Sequence, residues 1–395
     1  MKRFTIISLL ILYVIPSLCF GKNYDYPLKP GDEGWKELRT YNEMVQACQI
    51  PEDILQSLNA EEILQACLMH PFRINIILFP TLNEGFQSLL RSFPVFKRML
   101  TNPEVKELAV IQQKQLYPLV NEDISFYLQS KILEAFLGSI DEQQMEYGIP
   151  ISVLTPNGSI VSDTEQITDP EFTAYQRQQI AIEFSNTYPL ATIVAPASVK
   201  YNCHAYAWHI SEGGSNVWMG ISTNPTSIYW TDGSYSSSNC RGKGLKVSYI
   251  NGNHSAITTE TTDYFISKWG NGPRVRHHKD YVPYVYSGLS YYIRNLPSQA
   301  YITGQFAQNA QWTTLNTANM VDRTTPITLH VYYPNAYLIT WEKTSGGSDV
   351  QYGPQNNDGT LAGLTMNSEQ SVSLRATAYT PCGTVQTEFY FFSTH

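Results

Sequence analysis

The sequence predicts a multidomain protein: an α-helical N-terminal bundle, an α+β middle domain and an all-β immunoglobulin-like sandwich at the C-terminus. The chain has 395 residues, too many for one compact core. The spacing of apolar residues changes from helical to short and alternating near residue 146, and strands dominate after residue 297. We therefore expect domains over residues 22–145, 146–296 and 297–395, preceded by a leader over residues 1–21.

The first residues have the pattern of a secretory signal peptide. Met1–Arg3 is basic, Phe4–Phe20 is almost wholly apolar, and the chain turns polar at Lys22. The apolar run is short and no stop-transfer charges follow it, so a membrane anchor is disfavoured. Lipidation at Cys19 is the weaker alternative because the bulky Leu18 precedes it. We expect an exported protein (periplasmic, cell-surface or secreted) with no integral membrane span after signal removal.

Composition narrows the possible partners. The chain is 43% hydrophobic and 15% charged, with 27 Tyr, which indicates ordered material rich in strands and turns. The net charge of −8 and the lack of a Lys/Arg cluster argue against a nucleic-acid partner. No cofactor or metal site is predicted, because the histidines and cysteines do not show ligand spacing. The oligomeric state is left open.

The N-terminal region shows repeated helix starts. Thr40–Glu43 forms a capping-box pattern, and Asn59–Glu62 also begins a helix. Gln46–Cys48 recurs as Gln65–Cys67, which predicts a helical hairpin with either a disulfide or two buried thiols. A further hypothesis is that this region, lying ahead of the middle domain, is an inhibitory pro-region.

The sequence pattern of the C-terminal region predicts β-strands. Ile327–Val331 alternates, Tyr337–Trp341 ends in a Trp, and Val372–Ala378 is expected to pair with Thr387–Phe392 across a turn. Such a run of strands fits an immunoglobulin-like sandwich, although its B-to-F disulfide is missing.

The cysteine count predicts at least one free thiol. Once Cys19 leaves with the signal, an odd number remains: Cys48, Cys67, Cys203, Cys240 and Cys382. Cys203 is the best candidate for a reactive thiol because it stands where an extended segment gives way to a helix. Backbone N–H groups at such a position lower a thiol pKa and can bind an oxyanion.

A histidine in a suitable setting follows downstream. His254 comes directly after a predicted strand and an Asn-Gly turn, where we expect its ring to stay at the surface as a general base. The next strand offers Ser267 or Lys268 as the group that orients His254. These two point to opposite faces, so only one can serve. His277 or His278, beyond the following turn, is the alternative.

Together these segments resemble the NlpC/P60 and CHAP superfamily of papain-like cysteine amidases and peptidases. The resemblance rests on Asn202–Ala207, His254–Ile257 and Ser267–Gly270, and covers Ile149–Arg294. It implies an α+β papain-like (NlpC/P60-like) middle domain and a peptide or peptidoglycan substrate. In that scheme Cys203 is the nucleophile and His254 the base. The third position departs from the usual acid or amide.

Polar and aromatic residues around the predicted site are candidates for substrate binding, with aromatic core packing as the alternative role: Tyr201, Asn202, Trp218, Trp230 and Trp269. The flanking regions resemble, more weakly, modules of exported Bacteroidetes proteins. Two functions follow from the sequence. The first is a cysteine amidase or endopeptidase, and the alternative is a catalytically inactive surface module that recognises glycan or peptide.

Overall fold

The computed structural model describes residues 24–139, 148–220, 224–296, 301–306, 311–322, 325–347, 350–367 and 371–394. The predicted leader and the first predicted domain boundary, between residues 145 and 146, lie outside these residues.

The N-terminal region is helical, as predicted. Its helices are α1 (Tyr41–Ala47), α2 (Glu52–Ser57), α3 (Ala60–Leu68), α4 (Leu82–Ser92), α5 (Pro94–Thr101), α6 (Pro103–Leu116) and α7 (Ile124–Gly138). Capping boxes at Thr40 and Asn59 start α1 and α3, which confirms both sequence signals. A 3₁₀ turn, Arg73–Ile77, leads into the short irregular segment before α4.

From residue 148 onward the chain is built mainly from sheets. The strands before residue 297 are β1 (Gly148–Pro150), β2 (Val153–Leu154), β3 (Ile160–Val161), β4 (Thr164–Ile167), β5 (Thr192–Ala195), β6 (Trp218–Met219), β7 (Tyr235–Ser237), β8 (Lys246–Ile250), β9 (His254–Thr258), β10 (Tyr264–Lys268), β11 (Arg274–His278) and β12 (Gly288–Arg294). The helices between them are α8 (Ala174–Thr187), α9 (Cys203–Trp208) and α10 (Ile228–Thr231).

The central sheet has the strand order β5-β11-β10-β9-β8-β12-β7 and its described pairings are antiparallel. One face packs against α9 through an aromatic and aliphatic cluster that includes Trp208 and Ile257. The other face belongs to the hydrophobic core of the N-terminal helices, which runs from Trp35 through Phe86 to Phe265 and Trp269. Burying both faces positions the strand that begins at His254 deep inside the molecule.

The predicted fold class is wrong for the middle of the chain. The described residues show a helical N-terminal region followed by a large, predominantly β region, and no papain-like α+β middle domain is evident. The physical reason is the shared core: the sheet that would close such a domain instead buries its apolar face against the N-terminal helices. Local sequence patterns show that a strand is apolar, but not which part of the chain covers it.

The C-terminal strands are β13 (Tyr301–Phe306), β14 (Thr313–Leu315), β15 (Ala318–Asp322), β16 (Ile327–Tyr332), β17 (Leu338–Ser345), β18 (Thr360–Leu364), β19 (Ser371–Thr380) and β20 (Gly383–Thr394). They form two sheets, β14-β13-β16-β18 and β15-β20-β19-β17, around a separate core that includes Trp341 and Phe391. The predicted all-β character is confirmed. However, β15 pairs with β20 in parallel, whereas an immunoglobulin-like sandwich consists of antiparallel sheets.

The cysteines divide into one disulfide and several thiols within the described residues. Cys240 and Cys382 form the disulfide, and Cys48, Cys67 and Cys203 are free and buried. Of the two alternatives for the repeated Gln-Ala-Cys segments, the structure therefore shows buried thiols. In the same part of the chain, no helix is both long and apolar enough to cross a membrane.

Candidate active site

Cys203 is the first residue of α9. The Asn202 side chain caps this helix, accepting a hydrogen bond from Ala205 N–H at 3.1 Å and donating one to the Met219 carbonyl at 2.5 Å. The thiol has no solvent exposure. Burial raises the pKa of Cys203 to about 12, and hydrogen bonding to the backbone N–H groups of Ser255 and His204 offsets part of this rise. In this structure Cys203 is therefore a neutral thiol lying against the main chain of β9.

His254, the first residue of β9, is completely buried. Its ring stacks on Tyr284, with centroids 3.9 Å apart and planes at 17°, and meets Tyr249 edge-on at 4.9 Å. The prediction that this ring stays at the surface is wrong, because the N-terminal helices and the Tyr284 segment cover this face of the sheet. Burial lowers the pKa of His254 well below its usual value, and the charges of His277 and His204 lower it further.

Neither ring nitrogen of His254 has a hydrogen-bond partner among the described residues. Leaving a buried polar nitrogen unpaired costs about 1–3 kcal/mol, so the arrangement is unusual for a purely structural histidine. A hydrogen bond between the His254 ring and Cys203 is therefore not formed in this part of the chain. A Cys203 thiolate would nevertheless raise the pKa of both Tyr249 and Tyr284, the two rings that contact His254.

Ser267 and His277 form a network with each other rather than with His254. Ser267 Oγ accepts a hydrogen bond from Trp269 Nε1 at 2.9 Å and lies 2.8 Å from His277 Nε2. Because His277 Nδ1 is 2.8 Å from the carbonyl of His278, which can only accept, the Nδ1 proton is fixed and Ser267 donates to Nε2. Neither residue hydrogen-bonds to His254 in this structure, so the predicted orienting bond is not formed among the described residues.

Lys268 links two backbone segments near the thiol. Its buried Nζ donates to the carbonyls of Ser198 (2.9 Å) and Gly270 (2.5 Å) and lies 4.9 Å from the centre of the Tyr201 ring. Burial lowers the pKa of Lys268 to about 7, against the opposing effect of the Glu171 charge. Lys268 thus ties the loop before α9 to the turn after β10 and does not bond to His254.

The predicted substrate-binding residues are dispersed. Trp269 is fully buried in the core, and Tyr201 is half-buried beneath Lys268. Trp218, also buried, borders a cavity of about 210 Å³ between α7 and the β region. Trp230 is the predicted residue that lines the larger cavity, of about 550 Å³, where it stacks on Tyr292 at 4.5 Å. Asn202 serves as the helix cap described above.

A hydrogen-bond chain that the sequence reasoning missed connects the N-terminal helices to α9. It runs through Trp208, Ser255, His204, Asn253 and Glu84. The Thr81-x-x-Glu84 pattern predicts a helix start, and Thr81 does cap α4. The sequence therefore indicates no further role for Glu84. The side chain of Glu84 instead reaches Asn253, 169 residues away in sequence, which no local pattern indicates.

A short segment before α4 packs against Tyr284, the residue whose ring stacks on His254. The Ile77 carbonyl accepts a hydrogen bond from Asn271 N–H at 2.8 Å, and the Leu78 carbonyl accepts one from the Tyr284 hydroxyl at 2.7 Å. Gly270 allows this close approach: a Cβ there would lie 2.6 Å from the Ile77 carbonyl oxygen and closer still to the backbone of Phe79. We call Ile77–Phe79 the cover segment.

Gly270→Ala is expected to destabilise the protein by roughly 1–3 kcal/mol more than Gly158→Ala, because the new methyl group meets backbone atoms that cannot rotate away. Gly158 also has a positive φ, of 88°, but has no atom within 4 Å of an added Cβ, so it measures the backbone strain alone. Urea unfolding of both variants measures the difference. Equal losses would show that the cover segment does not approach Gly270 this closely.

No protein-family model, curated protein or solved structure matches this chain. The candidate site is therefore interpreted from its own geometry.

Proposed function

We propose that this protein is a thiol-dependent amide hydrolase in which Cys203 is the nucleophile and His254 the general base. The observation that carries the proposal is the His254 imidazole. It is buried, has no hydrogen-bond partner among the described residues, and contacts Tyr249 and Tyr284, two rings whose pKa values a Cys203 thiolate would raise. Its lowered pKa keeps the ring neutral near pH 7, the form that accepts a proton.

The proposed reaction transfers the thiol proton to His254 as the sulfur attacks the amide carbonyl carbon. The N–H groups of Ser255 and His204, which border the sulfur, stabilise the negative charge on the carbonyl oxygen. The C–N bond then breaks, the leaving amine takes the proton from His254, and water hydrolyses the thioester to regenerate the thiol.

The site is closed in this structure, because both Cys203 and His254 have no exposed surface. The 550 Å³ cavity reaches Tyr249, Asn253 and Glu84, beside the pair but not at the sulfur. Catalysis therefore requires a movement that exposes the thiol and the imidazole to substrate, and the cover segment, which bonds to Tyr284 and Asn271, is the element we propose to move. Opening would also lower the thiol pKa, since burial is what raises it.

The substrate class we propose is an amide of a peptide, with cell-wall peptides as the first to test because the resemblance of the Cys203 and His254 segments points to them. We also propose export. The Cys240–Cys382 disulfide supports an oxidising compartment, where such bonds persist.

The test is hydrolysis of peptidoglycan fragments and amide-bearing peptides by wild type, Cys203→Ala and His254→Ala. We expect both variants to lose at least about 10³-fold in rate, in line with the loss of a nucleophile or its base. Cys67→Ala is the control, since this thiol is equally buried but lies in the helical core. Equal hydrolysis by wild type and Cys203→Ala would refute the proposal.

A second candidate is a binding module without catalysis. It is favoured by the complete burial of the thiol and by the 550 Å³ cavity, whose lining combines the stacked Trp230 and Tyr292 with amide and hydroxyl side chains. Under this function, wild type and Cys203→Ala would bind cell-wall glycan or peptide with equal affinity and release no product.

A further inference from the structure

The hydrogen-bond chain between α4 and α9 has one proton arrangement. At one end Trp208 Nε1 can only donate, so Ser255 Oγ accepts at 3.0 Å. At the other end Asn253 Nδ2 donates to Glu84 Oε1 at 2.5 Å, the arrangement that an ionised carboxylate requires, although burial raises the pKa of Glu84. The amide oxygen of Asn253 therefore faces His204.

The two ends determine the tautomer of His204. Asn253 Oδ1 lies 3.0 Å from His204 Nε2 and cannot donate, so His204 carries its proton on Nε2. Nδ1 then accepts from the Ser255 hydroxyl at 2.9 Å. Each of these hydrogen bonds then joins a donor to an acceptor, and the network connects the N-terminal helices to α9, although Glu84 Oε2 is buried without a partner among the described residues.

Two residues of this network are adjacent in sequence to the two candidate catalytic residues. His204 directly follows Cys203, and its N–H borders the sulfur. Asn253 directly precedes His254 and has a left-handed backbone, with φ of 39°. Asparagine adopts this conformation more readily than other non-glycine residues, and the bonds to His204 and Glu84 anchor its side chain.

We propose that Glu84 and Asn253 are positioning residues that fix Cys203 and His254 relative to each other. Glu84, on a helix of the N-terminal region, orients the Asn253 amide. Asn253 in turn sets the backbone before His254 and the tautomer of His204. The N-terminal region is then an integral part of the site, not only a cover over it. The consequence for catalysis rests on the function proposed above, whereas the consequence for His204 does not.

The experiment compares Glu84→Ala, Glu84→Gln and Asn253→Gly in the full chain, with Glu104→Ala as control. Glu104 is also acidic and in the first turn of a helix, α6, but is exposed. The Glu84→Gln variant keeps an acceptor for Asn253. The Asn253→Gly variant keeps the left-handed backbone and removes only the amide, so it reports on the network even if Glu84→Ala does not fold. Histidine side-chain ¹⁵N NMR measures the His204 tautomer, and steady-state kinetics measures hydrolysis.

We expect His204 to be the Nε2–H tautomer in wild type, Glu84→Gln and Glu104→Ala, and a tautomer mixture in Glu84→Ala and Asn253→Gly. Glu84→Ala and Asn253→Gly should each lose roughly 10- to 100-fold in kcat with little change in KM, because their catalytic groups are misplaced while substrate binding is kept. An unchanged His204 spectrum in Glu84→Ala or Asn253→Gly, or a Glu84→Gln variant as altered as Glu84→Ala, would overturn the proposal. If wild type hydrolyses no amide, the function fails and the His204 spectra alone decide this inference.

Discussion

Lowering the pH from 6.5 to 4.5 is expected to destabilise this protein steeply, because four histidines in the described residues are buried in neutral form: His70, His204, His254 and His277. Burial is the main cause in each case. It lowers the pKa to about 3 for His70 and about 4 for His204 and His277, and lowers that of His254 well below its usual value.

The direction of this change in stability follows from proton linkage. The unfolded histidines titrate near pH 6.5, whereas the folded ones stay neutral until about pH 4 or below. Between these values the unfolded chain binds more protons, so the free energy of unfolding falls as the pH falls. Each histidine contributes a slope that approaches about 1.4 kcal/mol per pH unit, and the contributions add. The stability is fully present above pH 6.5 and is lost progressively toward pH 4.

Urea unfolding at pH 7, 6, 5 and 4.5 measures this loss, and His277→Gln isolates one contribution. The variant loses some stability at pH 7 because it disturbs the bond to Ser267, but its pH slope should be shallower by up to about 1.4 kcal/mol per unit. His278→Gln is the matched control on the same strand, since its side chain is 42% exposed. A wild-type stability that does not change over this range would show that these histidines are protonated without penalty.

Local sequence signals predicted the local structure well. The capping boxes at Thr40 and Asn59 confirm that a few hydrogen-bonding side chains define a helix start. Likewise, the apolar run after the Asn251-Gly252 turn is β9, and it begins at His254 as expected. These features depend only on residues within a few positions of each other.

The predictions that are wrong concern which parts of the chain pack against these helices and strands. His254 was expected at the surface, but α4 and the cover segment come from a part of the chain whose sequence carries no mark of this contact. Glu84 illustrates the same limit, because its helix-start pattern is genuine while its partner Asn253 is distant in sequence. The papain-like prediction failed for this reason too: short motifs fix a strand and a helix start, not the core they share.

Removal of the Cys240–Cys382 disulfide is the second large effect expected. The bond closes a loop with a sequence separation of 142, so the double variant Cys240→Ser/Cys382→Ser should lose about 5 kcal/mol if the loop entropy of the unfolded chain dominates. Urea unfolding, followed separately by the fluorescence of Trp341 in the C-terminal core and of Trp269 in the N-terminal core, measures it. The chain has seven tryptophans, so each signal is taken as the difference between the protein and its Trp341→Phe or Trp269→Phe variant.

The bond joins two bodies with separate cores. Cys240 follows β7 of the central sheet, and Cys382 lies in the turn between β19 and β20. Around it, Gly242 N–H donates to the Pro381 carbonyl at 3.0 Å and Asn335 donates to the Arg294 carbonyl at 3.1 Å. These neighbouring contacts are polar. We therefore expect the disulfide to be the main reason that the two cores unfold together.

Without the disulfide, the C-terminal sheets should therefore unfold in a transition of their own, because their core is complete without the central sheet. Wild type in reductant should behave like the variant, and the variant should not respond to reductant. A single transition with an unchanged midpoint in the variant would show instead that noncovalent contacts couple the two bodies, and the loop-entropy account would then fail for this bond.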